Sequence, residues 1–207
     1  MVIHRKILVA TTNPGKIAEI RAMLDMPVEI AGLKDFAGIN EIEEDGQTFA
    51  ENARKKALGY AKATGLWTIA DDSGLVVDAL GGAPGVKSAR FSGAKCKDRT
   101  LLDHKNMAKV LKLLKGTPRK KRTAKFICCL CLASDEKVLI ESEGILEGII
   151  AEEKIGENGF GYDPIFFVPQ LNRTVAQLSR EEKNAVSHRG NAIGKLKPLL
   201  EKIIRDG

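Results

Sequence analysis

The 207-residue chain reads as an α/β protein built on a mixed sheet. Three observations predict it. The opening section alternates short apolar runs with stretches of helical periodicity, the β-α-β order of parallel strands. The middle carries two long apolar, strand-like runs, "TAKFICCLCLA" and "KVLIESEGILEGIIAEE", joined only by "SDEK", which suits an antiparallel pair. A helix-like segment closes the chain.

Each element has a local reason. "KILVATT" is a short apolar run and reads as a strand. "NPGKIAEIRAML" places Ile17, Ile20 and Leu24 at helical spacing, with Asn13 as N-cap and Pro14 in the first turn. "VEIAGL" suits a second strand, and the acidic "NEIEEDGQ" a loop. Thr48 and Glu51 form a capping-box pattern ahead of "FAENARKKALGYAKATG", a helix ending near Gly65. "LWTIA" is a strand after which the adjacent acids Asp71 and Asp72 follow; a single Asp there would make an Asx-type turn before Gly74, and a pair fits that role less well. "DRTLLDHKNMAKVLKLLKG" is an amphipathic helix using Leu102, Val110 and Leu114. "SHRGNAIGKLKPLLEKIIRDG" is the last helix, in which Pro198 is expected to bend the helix or mark its true start.

Composition narrows the function classes. Hydrophobic residues make up 43% and charged residues 29%, ordinary values for a globular chain. No apolar run approaches the roughly 20 residues of a membrane span, and the apolar run after the first basic residues is too short for a signal-peptide core, so a cytoplasmic protein is expected. Of the four cysteines, Cys128, Cys129 and Cys131 share one apolar run and no second doublet is present, which points to reduced, buried thiols rather than a metal site. Much of the net charge of +6 lies in "KGTPRKKRTAK". With no interleaved aromatic, that segment reads as a solvated loop in preference to a nucleic-acid patch.

Five stretches have the makings of chemistry. "ATTNPGK" joins a strand to a helix, so its backbone N–H groups either face an anion, helped by Thr11, Thr12, Asn13 and Lys16, or belong to a capped turn with an exposed lysine; it lacks the Walker A glycine and Ser/Thr. The acids Glu41, Glu43, Glu44 and Asp45 crowd one loop, either as a solvated surface or, with Asp71 and Asp72, as carboxylates for Mg²⁺. The glycines of "LGGAPGVKSARFSG" imply tight backbone, with Lys87 and Arg90 available to an anion. "GENGFGYDPIFF" holds four of the chain's ten aromatics; Phe160, between glycines, suits stacking on a base, with Asp163 an acceptor beside it, while Phe166 and Phe167 suit core. In "EEKNAVSHRGNA", Ser187 is a candidate cap, and Arg189 in the first helical turn opposes the helix dipole, so either it meets solvent or it serves something other than helix stability.

Together "ATTNPGK", "EEDGQTFAENARKKA", "ADDSGLVVDALGGAPGVKSARFSG", "FGYDPIFF" and "SHRGNA" resemble, in order, the signature blocks of the inosine triphosphate pyrophosphatase family. The resemblance implies an elongated mixed sheet flanked by helices, with two lobes in one 1–207 domain, an active-site cleft between them, and a homodimer. It implies Mg²⁺-dependent hydrolysis of ITP, dITP and XTP to the monophosphate and pyrophosphate. Carried over, Thr11, Thr12, Asn13, Pro14, Gly15 and Lys16 bind the triphosphate with Lys56. Glu44 (or its neighbour Glu43) and Asp72 hold the metal, and Asp72 is the general base; Ser73 touches substrate. Phe160, Gly161, Tyr162 and Asp163 form the base pocket with Lys183, His188 and Arg189. Asn158 departs from the pattern, standing where glycine is frequent. Other expected partners are few: no membrane and no stable nucleic acid. The alternatives are a pyrophosphatase for other modified nucleotides and a nucleic-acid binder using the 115–125 loop.

Overall fold

The computed structural model describes residues 6–206. Seven strands form one sheet in the order β2-β1-β3-β4-β5-β6-β7. They are β1 (Lys6–Val9), β2 (Glu29–Gly32), β3 (Trp67–Val77), β4 (Thr123–Ala133), β5 (Val138–Ile150), β6 (Phe166–Val168) and β7 (Arg173–Thr174). β1 pairs parallel to both β2 and β3, whereas β5–β6 and β6–β7 are antiparallel, so the sheet is mixed as expected. The helices are α1 (Pro14–Leu24), α2 (Phe49–Thr64), α3 (Arg99–Leu113), α4 (Arg180–Val186) and α5 (His188–Asp206).

The chain divides into two compact units, 1–72 with 128–144 and 188–207, and 73–127 with 145–187. The first is centred on Ile7, Val9, Ile69, Cys128, Leu130 and Leu132 from the strands, packed with Ile20 and Leu24 of α1 and Ile193, Leu196 and Leu200 of α5. The alternation Cys128-Leu130-Leu132 is the period of a strand, and the intervening Cys129 and Cys131 are buried as well, so β4 is covered on both faces. The second is centred on Leu75, Met107, Val110, Phe126, Ile165 and Phe166, with the Phe126 and Phe166 rings stacked at 4.3 Å.

Local signals placed most elements. The Asn13 side chain caps α1 and the Thr48–Glu51 box caps α2, which ends at Gly65 in the left-handed region (φ 69°). Two expectations are corrected and two are sharpened. β3 does not stop before the acids but runs through Asp71 and Asp72 to Val77, because cations from elsewhere in the chain neutralise them. Of the two readings of Pro198, the helix start is excluded, because Pro198 lies inside α5. Ser187 is the C-cap of α4, a short helix that the Ser179–Glu182 capping box announces in the sequence, and it stands directly before the first residue of α5. Phe167 is only half-buried, lying beneath Arg119 at 5.1 Å, while Phe166 alone fills core.

The basic loop is only partly solvated. The Arg122 guanidinium is buried and donates to three carbonyls, those of Ile150 (2.7 Å), Leu114 (3.0 Å) and Ala151 (2.7 Å). It thereby satisfies a carbonyl at the end of α3 and ties that end to the end of β5. With Arg119 over Phe167, two of the loop's cations serve the fold rather than a polyanion.

Candidate active site

The loop from β1 into α1 is built around Asn13. Its Oδ1 accepts from the N–H groups of Gly15 (2.9 Å) and Lys16 (3.4 Å), and its carbonyl accepts from Ile17 (3.1 Å). Asn13 N–H in turn donates to Thr11 Oγ1 at 3.2 Å. The amides expected to face an anion are therefore already engaged by the loop itself. The Lys16 side chain is not engaged this way. It leaves the first turn of α1 to meet Asp71 Oδ2 at 2.8 Å. Thr12 and Pro14 are exposed, and Thr11 and Gly15 half-buried.

The two adjacent acids of β3 face different partners, as successive residues of a strand must. Asp71 is buried, and besides Lys16 it receives Arg189 Nη2 at 3.3 Å, while Arg189 Nη1 pairs with Glu19 of α1. Arg189 is thus neither at the surface nor supporting its own helix; it links the first turn of α5 to α1 and β3. Burial alone would raise the Asp71 carboxyl, but Lys16, Arg189 and Lys56 together hold it well below the usual carboxylate range. Those charges explain how two acids sit inside a buried strand.

Asp72 looks to α2 instead. Its Oδ2 accepts from Asn52 Nδ2 at 3.0 Å, and its Oδ1 lies 3.9 Å from Lys56 Nζ. Lys56 Nζ also donates to Glu44 Oε1 and to the Asp71 carbonyl, each at 2.7 Å. Burial works against the Lys56 charge, yet Asp71, Asp72 and Glu44 outweigh it and raise the ammonium's pKa. Burial pushes the Asp72 carboxyl up, and Lys56 and Lys16 only partly offset it.

The acidic loop is not a loose solvated surface. It is zipped onto α2: Ile42 N–H donates to Tyr60 Oη (3.3 Å), Lys55 to Asp45 (2.5 Å) and Gly46 N–H to Asn52 Oδ1 (2.8 Å). Gly59 makes this possible, because a Cβ there would strike the Ile42 side chain at 2.8 Å. The zipper leaves Glu43 exposed and turns Glu44 inward to Lys56.

In the second unit the aromatic loop is closed on itself. Asp163 Oδ2 accepts from Phe160 N–H (2.9 Å) and from Lys183 Nζ (2.6 Å), and the Lys183 ammonium lies 4.4 Å from the centre of the half-buried Phe160 ring. Phe160, Asp163 and Lys183 are thus brought together. Tyr162 differs: its ring joins the second core and its hydroxyl donates to the Ser88 carbonyl at 2.8 Å. Ser88 Oγ in turn accepts from Leu75 N–H (2.9 Å), so the glycine-rich turn is pinned to β3. Ser73 is half-buried in that strand, and His188 is buried at the start of α5. Sequence reading did not single out Glu19, Asn52 or Asp103. Only Asn52 carried a signal, one turn before Lys56 on the same helix.

The model of the Ham1 family matches residues 7–199. The chain belongs to the Ham1 family. Family relatives named dITP/XTP pyrophosphatase include those of Geobacter sulfurreducens, 49% identical over 94% of this chain and 96% of the relative, and Bacillus subtilis, 46% identical over 97% and 100%. Among solved family structures, the Staphylococcus aureus Ham1 protein is 41% identical with a TM-score of 0.84, covering 96% of this chain and 99% of that one. A Mycobacterium abscessus structure described as a nucleoside-triphosphatase and dITP/XTP pyrophosphatase is 45% identical with a TM-score of 0.74, covering 93% and 99%.

Proposed function

We propose that this chain hydrolyses non-standard purine nucleoside triphosphates (ITP, dITP and XTP) at the α–β phosphoanhydride bond, releasing the monophosphate and pyrophosphate. The observation that carries the reading is the convergence of Glu44, Asp72 and Lys56 in one unit, beside a second lysine, Lys16, in the first turn of α1.

The donor set fits Mg²⁺. Glu44 and Asp72 are both oxygen donors, and both approach the single point now neutralised by the Lys56 ammonium. No cluster of three metal-binding side chains occurs among the described residues. Two carboxylates completed by substrate phosphates and water are the usual way proteins hold this ion. When bound, Mg²⁺ would offset charge on the triphosphate. Asp72, whose carboxyl burial pushes up and whose orientation Asn52 fixes, takes the proton of the attacking water. The water oxygen bonds to the α-phosphorus as the bridging oxygen departs with pyrophosphate. Lys16 and Lys56 meet the charge that builds on the leaving phosphates, with Thr11, Thr12, Asn13 and Ser73 as neutral partners.

For the base, Phe160 offers a stacking face, and Lys183 and Asp163 offer polar groups beside it. Inosine and xanthosine present an acceptor oxygen where adenosine presents an amino donor. His188 and Arg189 are the donors proposed for that oxygen; Arg189 is already held in one orientation by Glu19 and Asp71. An unmet buried donor against adenine costs about 1–3 kcal/mol. The family resemblance further suggests a cytoplasmic homodimer, checked by sedimentation. Pyrophosphate release from ITP, XTP, GTP and ATP, with and without Mg²⁺, tests the activity. Asp72→Asn is expected to stay folded and lose roughly 10²-fold or more in turnover; turnover near wild type would remove Asp72 as the base.

A further inference from the structure

Helix α3 contributes Met107 and Val110 to the second core, and the same helix carries an acid, Asp103, that the core does not need. Asp103 stands one turn in from the Asp98 N-cap, and its side chain is only 13% exposed. Its Oδ2 accepts the Gly161 N–H at 2.9 Å, across 58 residues of sequence, and its other oxygen lies 3.8 Å from Arg99 Nε. Gly161 sits between Phe160 and Tyr162 in the left-handed region (φ 61°), and Gly159 on the other side of Phe160 is also left-handed (φ 80°). Two such glycines give the segment many alternative paths. The bonds between Phe160 and Asp163 close the loop, and Lys183 of α4 joins it through the Asp163 carboxylate rather than through the Gly161 amide. The Tyr162 hydroxyl anchors the residue after Gly161, and Asp103 fixes the amide directly after Phe160.

We propose that Asp103 is a positioning residue for base recognition, holding the Gly161 amide so that the Phe160 ring is presented in one orientation. The proposal rests on the functional reading above. A carboxylate suits the task because a charge-assisted bond to an amide is shorter and about twice as strong as a neutral one. A helix is a rigid mount for it, whereas an acceptor from the loop itself would move with the loop. Asp103 thereby supplies in advance part of the order that a stacking ligand would otherwise have to impose.

The test compares Asp103→Ala and Asp103→Asn. The alanine variant is expected to raise the KM for ITP about 10-fold or more, leave kcat within about 2-fold, and reduce the preference for ITP over ATP. Inhibition by inorganic tripolyphosphate, which has no base, should be unchanged. Asparagine keeps an oxygen acceptor at the same point and should restore most of the loss. Hydrogen exchange of the Gly161 amide should quicken in the alanine variant. Wild-type KM and base preference in Asp103→Ala overturn the proposal. If Asp103→Ala does not fold, Asp103→Ser, too short to reach Gly161, carries the same expectations. Failure of the wild type to release pyrophosphate from ITP defeats the functional reading instead, and the exchange measurement then still decides whether Asp103 holds the loop.

Discussion

Asp71→Asn tests the buried charge network directly. The substitution keeps the shape of the side chain and one acceptor oxygen, but it deletes the charge facing Lys16 at 2.8 Å and Arg189 at 3.3 Å. Arg189, 1% exposed, is left with Glu19 as its only acid among the ion pairs described. Breaking one partner out of a buried ion pair costs about 3–5 kcal/mol. With a urea slope of about 2 kcal/mol/M, the unfolding midpoint should fall by roughly 2 M at pH 7. The pH dependence has a defined sign. The folded Asp71 carboxyl is held below its unfolded value, so its stabilisation is present above the usual carboxylate range and is lost as pH falls toward the folded value. The gap between wild type and Asp71→Asn should therefore be constant near neutrality and begin to narrow below about pH 4. Urea titrations followed by far-UV circular dichroism at pH 7 and pH 3 measure both. A midpoint shift under about 0.5 M at pH 7, or a gap that widens on acidification, would refute the reasoning. The exposed Lys6–Glu29 pair serves as control, since Lys6→Met should leave the midpoint where it is.

Further outcomes concern packing and the thiols. A Cβ on Gly144 would collide with the His188 carbonyl and the Ala192 amide, backbone atoms that cannot step aside, so Gly144→Ala should lower Tm by several degrees. Gly194→Ala, in α5 with open space around it, should raise Tm instead; shifts of the same sign in both would contradict the packing described. Burial pushes the Cys128, Cys129 and Cys131 thiols up to about 12, so at pH 8 a thiol reagent should find only Cys96 in the native protein and all four cysteines after denaturation. Three or more fast native thiols would contradict that burial. Because those folded values are raised, the stabilisation they give is complete below the ordinary thiol value of 9.0 and declines as pH rises toward about 12, which a urea midpoint falling between pH 9 and 11 would show.

How far the sequence reached is clearest where its signals are local. Asn13, the Thr48–Glu51 box and Gly65 act on backbone groups within four residues, and α1 begins, and α2 begins and ends, as they dictate. The apolar runs 123–133 and 138–150 are long enough to be strands whatever surrounds them. The reading failed where a charge met a distant partner. Asp71 and Asp72 looked like the end of a strand because an unpaired acid is not buried. Their pairs come from Lys16 on α1, Lys56 on α2 and Arg189 on α5, the last of them 118 residues away. Arg122 was lost among the solvated lysines for the same reason, its carbonyl acceptors lying up to 29 residues off. Asp103 gave no sign at all, since a helix-surface acid and an acid that holds a distant amide look identical in one dimension.

By itself, then, the order of residues determined the mixed α/β class, the position of most helices and strands, and the inventory of acids, lysines and aromatics that the resemblance to the inosine triphosphate pyrophosphatase family rests on. The tertiary structure decided which face of β3 each aspartate serves, that Glu44 rather than Glu43 turns inward, and that Arg189 is a buried link rather than a surface charge. The division has a physical basis. Capping, turn geometry and periodicity act over a few bonds of chain, whereas desolvation and Coulomb attraction depend on distance through space.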